Sequence, residues 1–256
     1  MIKLILKKFI LLIIIISLVS FAIELILSSP SLIVKNVLSD KNIQSGQLFQ
    51  KGRKFSFKFS YSYFLPIGVS DFQVESLEKS EGGDIYKLFA TAKTNKVLTS
   101  IYEAKAKLIS FLDKNKMHSL HYEEIITTKE EIKSKRIDFD QFKHVASRED
   151  KQYKILPDTQ DPVSMIFVLL SRKLKIGDEY SDNIFTKECN YEFKSKVVDK
   201  KDNIFHLKIK VGRQDKSSSH GGDFDLYVFD KGYNIPLSIR GWTQAGMITL
   251  RLIDIN

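Results

Sequence analysis

Every second residue of Phe55-Ser-Phe-Lys-Phe-Ser-Tyr-Ser-Tyr63 is aromatic, and those between are Ser or Lys. Side chains of an extended chain alternate faces, so this run predicts a strand with one apolar and one wet face. Leu65-Pro-Ile-Gly68 has turn chemistry and is expected to end it. Shorter patterns predict strands over 69–78, 85–94, 98–111, 119–128, 132–139 and 143–147, with turns at Gly82-Gly83 and 113–116. The stretch 98–111 also holds helix-forming Ala and Lys, but Tyr102, Ala104, Ala106 and Leu108 alternate with charged residues, which favours a strand. Further strands are expected over 191–198, 204–211, 224–229, 235–240 and 247–255. The first two of these flank a hairpin turn at 199–203, and Pro236 restricts its strand to a sheet edge or to the first residues.

One segment of the body predicts a helix. Asp161 suits the N-cap, Pro162 suits the first helical position, and Val163, Ile166, Phe167 and Leu170 follow at helical spacing. Met165, Val168 and Leu169 make the remaining faces apolar, so the helix should be buried nearly all round. Arg172 and Lys173 follow at its C-terminal end, where cations favour the dipole. Many antiparallel strands and one oily helix predict a mainly β fold: a curved sheet or half-open β-barrel wrapped around one buried α-helix.

The first residues have a different pattern. Lys3, Lys7 and Lys8 precede an apolar run from Phe9 to Ile23. A basic flank and an oily stretch predict export, either as a signal cut after Ala22 or as an uncleaved anchor from Phe9 to Leu27. Both readings leave the lysines in the cytoplasm and put the body in the periplasm, secreted or anchored to the inner membrane. The expected organisation is an export or anchor helix over 1–27, a connector over 28–45 and one β-rich domain over 46–256.

Composition narrows the function. Hydrophobic residues make up 43% and charged residues 28%, which are globular values. The formal charge is +9, but it is mostly Lys, and the arginines are scattered. Nucleic-acid readers cluster Arg where a planar fork is needed, so no nucleic-acid partner is expected. The single cysteine, Cys189, cannot make an internal disulfide.

Candidate chemistry is sparse. His118 and His121 lie near Glu123 and Glu124, but residues three apart on a strand face opposite sides, and no third ligand is evident. The Ser217–Ser219 run precedes His220, without the rigid base and oxyanion donors that a nucleophile requires. Asp138 and Asp140, and again Asp223 and Asp225, share a strand face as paired carboxylates would in glycoside hydrolysis, a pattern equally common where strands meet solvent. Asp158 and Asp161 read as turn and cap residues. There is no phosphate-cradling glycine loop and no dinucleotide fingerprint. The expectation is a protein without catalytic residues, metal or cofactor.

Four segments together resemble an exported bacterial family, the domain of unknown function numbered 3108. They are the aromatic strand with Pro66-Ile-Gly-Val69, then Ile137-Asp-Phe-Asp140, then Gln160-Asp-Pro-Val-Ser164 before the helix, and lastly Asp230-Lys-Gly-Tyr-Asn-Ile-Pro-Leu237. The likeness covers about residues 45 to 255, and the Gln160-Asp-Pro motif is its most specific part. It implies an envelope location and a β-rich fold, and no activity.

The constellation with functional pull is the aromatic row. If the concave face of the sheet is not fully plugged, Phe55, Phe57, Phe59, Tyr61 and Tyr63, with Ile166, Phe167 and Leu170 of the helix, would line a groove for a lipid or other amphipathic ligand. The alternative is that the row only packs on the helix. Gln160, Asp161 and Pro162 are expected to be structural. Two other roles stay open: a partner-binding module of an envelope or polysaccharide-export assembly, and a glycan hydrolase.

Overall fold

The computed structural model describes residues 29–38, 48–61, 65–80, 83–99, 103–214, 221–243 and 246–256. The apolar N-terminal segment, Tyr63, the Ser217–Ser219 run and His220 lie outside the described residues. Among the described residues, no helix is long and apolar enough to cross a membrane.

The described residues begin with a one-turn helix α1 (Pro30–Ile33) and a π-helical turn (Val34–Leu38). Eight strands follow: β1 (Lys54–Tyr61), β2 (Leu65–Ser80), β3 (Gly83–Thr94), β4 (Ala104–Asp113), β5 (Ser119–Thr128), β6 (Ile132–Asp140), β7 (Val145–Arg148) and β8 (Lys151–Lys154). A one-turn helix α2 (Lys96–Thr99) interrupts them. Helix α3 (Pro162–Ser171) leads to β9 (Glu179–Thr186), β10 (Cys189–Lys201), β11 (Ile204–Arg213), β12 (Gly222–Asp230), β13 (Asn234–Thr243) and β14 (Gly246–Ile255).

Among the described residues, all 14 strands form one antiparallel sheet in the order β8-β7-β6-β5-β4-β3-β2-β1-β14-β13-β12-β11-β10-β9. The last strand pairs with the first, Phe55 opposite Ile255 and Phe59 opposite Leu250. The two edges, β8 and β9, share no ladder, so the sheet does not close into a barrel. Residues 155–178 run from one edge to the other and carry α3. Within them Gln160 exchanges backbone hydrogen bonds with Asn183 and Phe185 of β9 at 2.8 and 2.9 Å. The Asn190 side chain donates to the Lys154 carbonyl at 2.8 Å, and Arg148 pairs with Glu188. Side chains and one short backbone run thus bridge the gap.

Helix α3 lies in the concavity, packed against β3 and β4 from one half of the sheet and β9 and β13 from the other. Met165, Phe167, Leu169 and Leu170 are buried, as are Val163 and Val168. Each such side chain contributes about 1.5–3 kcal/mol by leaving water. Ile33 and Leu38 join the same core, as does Leu48 after them, so the stretch read as a connector contributes packing of its own.

The structure departs from the sequence reading in several places. Leu65-Pro-Ile-Gly68 opens β2 and does not end β1; Pro66 is accommodated by a register shift between Phe59 and Ser60. Pro236 is the third residue of β13, among its first residues as expected, and although the strand is interior a bulge at the register shift between Tyr227 and Val228 absorbs its missing donor. The hairpin turn of β10 and β11 tightens to Asp202-Asn203, with φ of 49° and 62°. Both central residues then have the positive φ that matches strand twist, a conformation Asp and Asn tolerate. β8 and β9 were not expected, β4 starts six residues later than its pattern suggested, and α1 and α2 add helical turns.

Candidate functional site

Directly opposed residues in an antiparallel ladder share a face, so register maps the concave side. Phe55 stands opposite Phe72, Phe57 opposite Ser70 and Phe59 opposite Gly68. Gly68 continues to Thr94, and Ser70 to Ala92. Ala92 continues to Ala106, and Ala106 to Ile126.

The aromatic row divides along this face. Phe55 and Phe57 are fully buried, and the Phe57 and Phe72 rings meet edge to face at 5.6 Å. Phe59 is half-buried and lines a cavity of about 160 Å³ with Ala92, Thr94, Ala104, Ala106 and Ile126. The cavity is roomy because three alanines stand where larger side chains would meet Phe59. Tyr61 is 41% exposed at the mouth, beside Leu65 at 46%. Ile132 and Trp242, at 71% and 67%, are exposed at the same end of the sheet but on its outer face, opposite Thr127 and Met247. Of the helix residues expected in a groove, Phe167 and Leu170 are buried in the core and Ile166 is half-buried. None of the three lines this cavity. The Phe49 ring stacks on Tyr86 at 4.3 Å and approaches Phe167 at 6.1 Å, which fills the opposite end.

Charged residues also face inward. Glu124 stands opposite Lys135, and their side chains pair at 2.8 Å. The Tyr122 hydroxyl donates to the same Glu124 oxygen at 2.8 Å. Burial, with Glu124 adding to it, pushes that hydroxyl far above its ordinary range, so it stays a donor. Sequence reasoning missed this group. The signal was present in β6, where Lys133 and Lys135 continue the period-two row of Ile137 and Phe139.

The motif at the start of α3 forms a second buried polar network. Asp161 Oδ1 accepts the backbone N–H groups of Val163 and Ser164 at 2.7 and 3.0 Å. Its Oδ2 accepts Ser110 and Ser119 hydroxyls at 2.6 and 2.7 Å. Burial pushes this carboxyl up, while the four donors pull against it. Gln160 donates to the Met117 and Asp158 carbonyls, and Pro162 occupies the first turn. These three residues hold the helix in place and bring no open reactive group together.

The remaining candidates point apart. His118 contacts Asp158 at 3.3 Å, whereas His121 lies on the outer face between Asp138 at 2.6 Å and Glu123 at 2.9 Å. Asp140 accepts the Lys143 backbone N–H in the next turn. Asp225 engages His206 at 2.6 Å, and the His206 ring stacks on Tyr227 at 4.6 Å. Among the described residues, no group of three His, Cys, Asp or Glu side chains could hold a metal ion. The outer face of β2–β5 has its own depression of about 360 Å³, bordered by Val69, Asp71, Lys93, Lys105, Lys107 and Ile125.

Residues 55–245 match the family model described as protein of unknown function, DUF3108. The chain belongs to that family. Among curated proteins, none matches this DUF3108 chain. Solved structures do. A β-barrel-like protein of the domain of unknown function DUF1849 from Brucella abortus is similar at TM-score 0.55 and 9% identity, over 82% of this chain and 98% of that one. A candidate lipoprotein from Parabacteroides distasonis is similar at TM-score 0.36 and 10% identity, over 83% of this chain and 100% of that one. The first likeness shows a shared barrel-like fold for DUF3108; the second is looser.

Proposed function

We propose that this DUF3108 protein is a non-catalytic envelope protein that holds the apolar part of a lipid or other amphipathic ligand at the mouth of its half-barrel. One observation carries the reading: a cavity walled by Phe59, Ala92, Ala106 and Ile126 on the concave face, with Tyr61 and Leu65 exposed at its mouth. Exposed apolar side chains gathered beside an apolar hollow mark a binding surface more often than scattered ones do. Ligand pockets commonly measure about 300–1,000 Å³, so a hollow half that size suits a chain end better than a whole compact molecule. The basic flank and apolar run before residue 24 support an envelope location. Native mass spectrometry of the purified full-length protein should find lipid-sized adducts, and the delipidated protein should take up a fluorescent fatty acid. Protein that emerges bare and takes up none overturns the reading.

The outer depression favours a second reading, a partner-binding envelope module. Lys93 and Lys105 stand directly opposite each other there, which suits an acidic partner surface. Cross-linking in cells should then yield one discrete partner, lost in a Lys93→Glu, Lys105→Glu variant.

A further inference from the structure

Large apolar side chains are exposed on both faces of the sheet at its open end. Tyr61 ends β1 and Leu65 opens β2 directly opposite it, on the concave face. The Tyr61 ring leans across the neighbouring strand: a Cβ on Gly246 would stand 2.5 Å from its hydroxyl oxygen and 2.9 Å from its ring. Gly246 opens β14 opposite Thr243, and the next pair is Met247 with Trp242, whose indole is exposed on the outer face. Leu65, Tyr61 and Trp242 therefore follow one another along a rim made by the ends of β2, β1, β14 and β13, four neighbouring strands. In sequence, the link from Tyr61 to Leu65 is Ser62-Tyr-Phe64, with two aromatic residues where short turns favour Gly, Asn, Asp or Pro.

We propose that the rim of Leu65, Tyr61 and Trp242 docks on a lipid bilayer, with the mouth of the cavity against the membrane surface. This rests on the lipid-holding reading and adds the source of the ligand: a tail that leaves the bilayer at the rim reaches Phe59 without crossing water. A folded partner covers one face or one edge of a sheet, whereas a bilayer surface surrounds a strand end and favours apolar side chains on both sides of it. Trp and Tyr are the residues enriched at the membrane–water boundary. The chain also brings the bilayer close. Its apolar run ends at Leu27, and Pro30 already begins α1, which packs on β13 and β14. As an uncleaved anchor, that run would leave only Ser28 and Ser29 between the bilayer and the strands next to the rim. The opposite end exposes Phe142 and Ile176, but these stand singly on separate turns, and Phe49, Tyr86 and Phe167 fill the concavity there. The contact is apolar, so it needs no anionic lipid and survives high salt.

The full-length protein in phosphatidylcholine vesicles tests this, because Trp242 is the only tryptophan of the chain. Lipids brominated near the head end of their acyl chains should quench Trp242, and more strongly than lipids brominated near the chain end, at low and high salt alike. In the double variant Trp242→Phe, Phe142→Trp the sole indole stands at the filled end and should escape quenching. Leu65→Asp should weaken the quenching of Trp242; Leu65 is half-exposed, so the fold should be kept, and Leu65→Ser is read in its place if it is not. Trp242 that is not quenched overturns the proposal, as does quenching of the indole at position 142 in place of Trp242 or along with it. Quenching that the Leu65 variant leaves unchanged, or that high salt removes, also overturns it. Uptake of a fluorescent fatty acid keeps the two readings apart. Uptake without quenching of Trp242 removes the docking surface alone, whereas quenching in a protein that takes up no fatty acid removes the lipid-holding reading.

Discussion

The carboxylate of Asp161 lies 2.6 Å from the hydroxyl of Ser110, 51 residues earlier in the chain. One residue therefore caps α3 and also ties it to β4 in the middle of the sheet. This double duty gives the Gln160-Asp-Pro motif a structural role. The cap begins the helix, and the link to Ser110 fixes where in the concavity it begins.

Asp161→Ala should be among the most destabilising single changes in the protein. It leaves two backbone N–H groups and two serine hydroxyls without their buried acceptor. Each such orphan costs about 1–3 kcal/mol, partly relieved by relaxation, so a loss of more than about 3 kcal/mol is expected. Asp161→Asn keeps one acceptor oxygen and should cost less than half as much. Urea unfolding checks both: the midpoint should fall in that order with the slope unchanged.

Acid should weaken the outer face in a way traceable to Asp138. Burial works to raise its carboxyl, but hydrogen bonds from His121 and Arg136 hold it below the ordinary value of 3.8. A carboxyl lowered in the folded state contributes stability that is complete above its unfolded pKa and lost as pH falls through the folded one. The contribution should therefore be intact at pH 5 and above and disappear only below 3.8. Melting temperatures of the wild type and Asp138→Asn should differ at pH 6 and converge at pH 2–3. A constant difference across that range would remove the ion-pair explanation.

Much of this fold was legible because its signals are local. The alternation of Phe55 to Tyr61 specifies a strand, and Asp161-Pro162 before an apolar run specifies a helix start, whatever surrounds them. The missed parts depend on distant neighbours. β9, Glu-Tyr-Ser-Asp-Asn-Ile-Phe-Thr, looks too polar for a strand; it forms because β10 flanks it and Gln160 supplies backbone partners on the other side. Sequence alternation also places Phe55, Phe57, Phe59 and Tyr61 on one surface. It cannot show that register shifts next to Ser56 and Phe59 divide that surface between a sealed core and an open mouth.

That division predicts opposite consequences at two positions four residues apart. Phe57→Ala empties a fully buried ring site and should cost about 3–5 kcal/mol. Tyr61→Ala removes a half-exposed ring at the mouth and should change stability by no more than about 0.5 kcal/mol. If the mouth holds the ligand, uptake of a fluorescent fatty acid should fall in Tyr61→Ala at unchanged stability. Equal destabilisation by the two changes would mean that the row acts as a single core element.

Gly68 marks a close approach of β2 to β3. A Cβ there would stand 2.2 Å from the Lys93 carbonyl oxygen, and that neighbour is backbone, so one strand must shift. Gly68→Ala should cost about 1–3 kcal/mol by overpacking. Because Gly68 stands opposite Phe59, the shift should also move a cavity wall. Hydrogen exchange should quicken at Phe59 and Thr94 in this variant while the amides of α3 keep their protection. Faster exchange throughout α3 would show that the two ends of the barrel unfold as one unit.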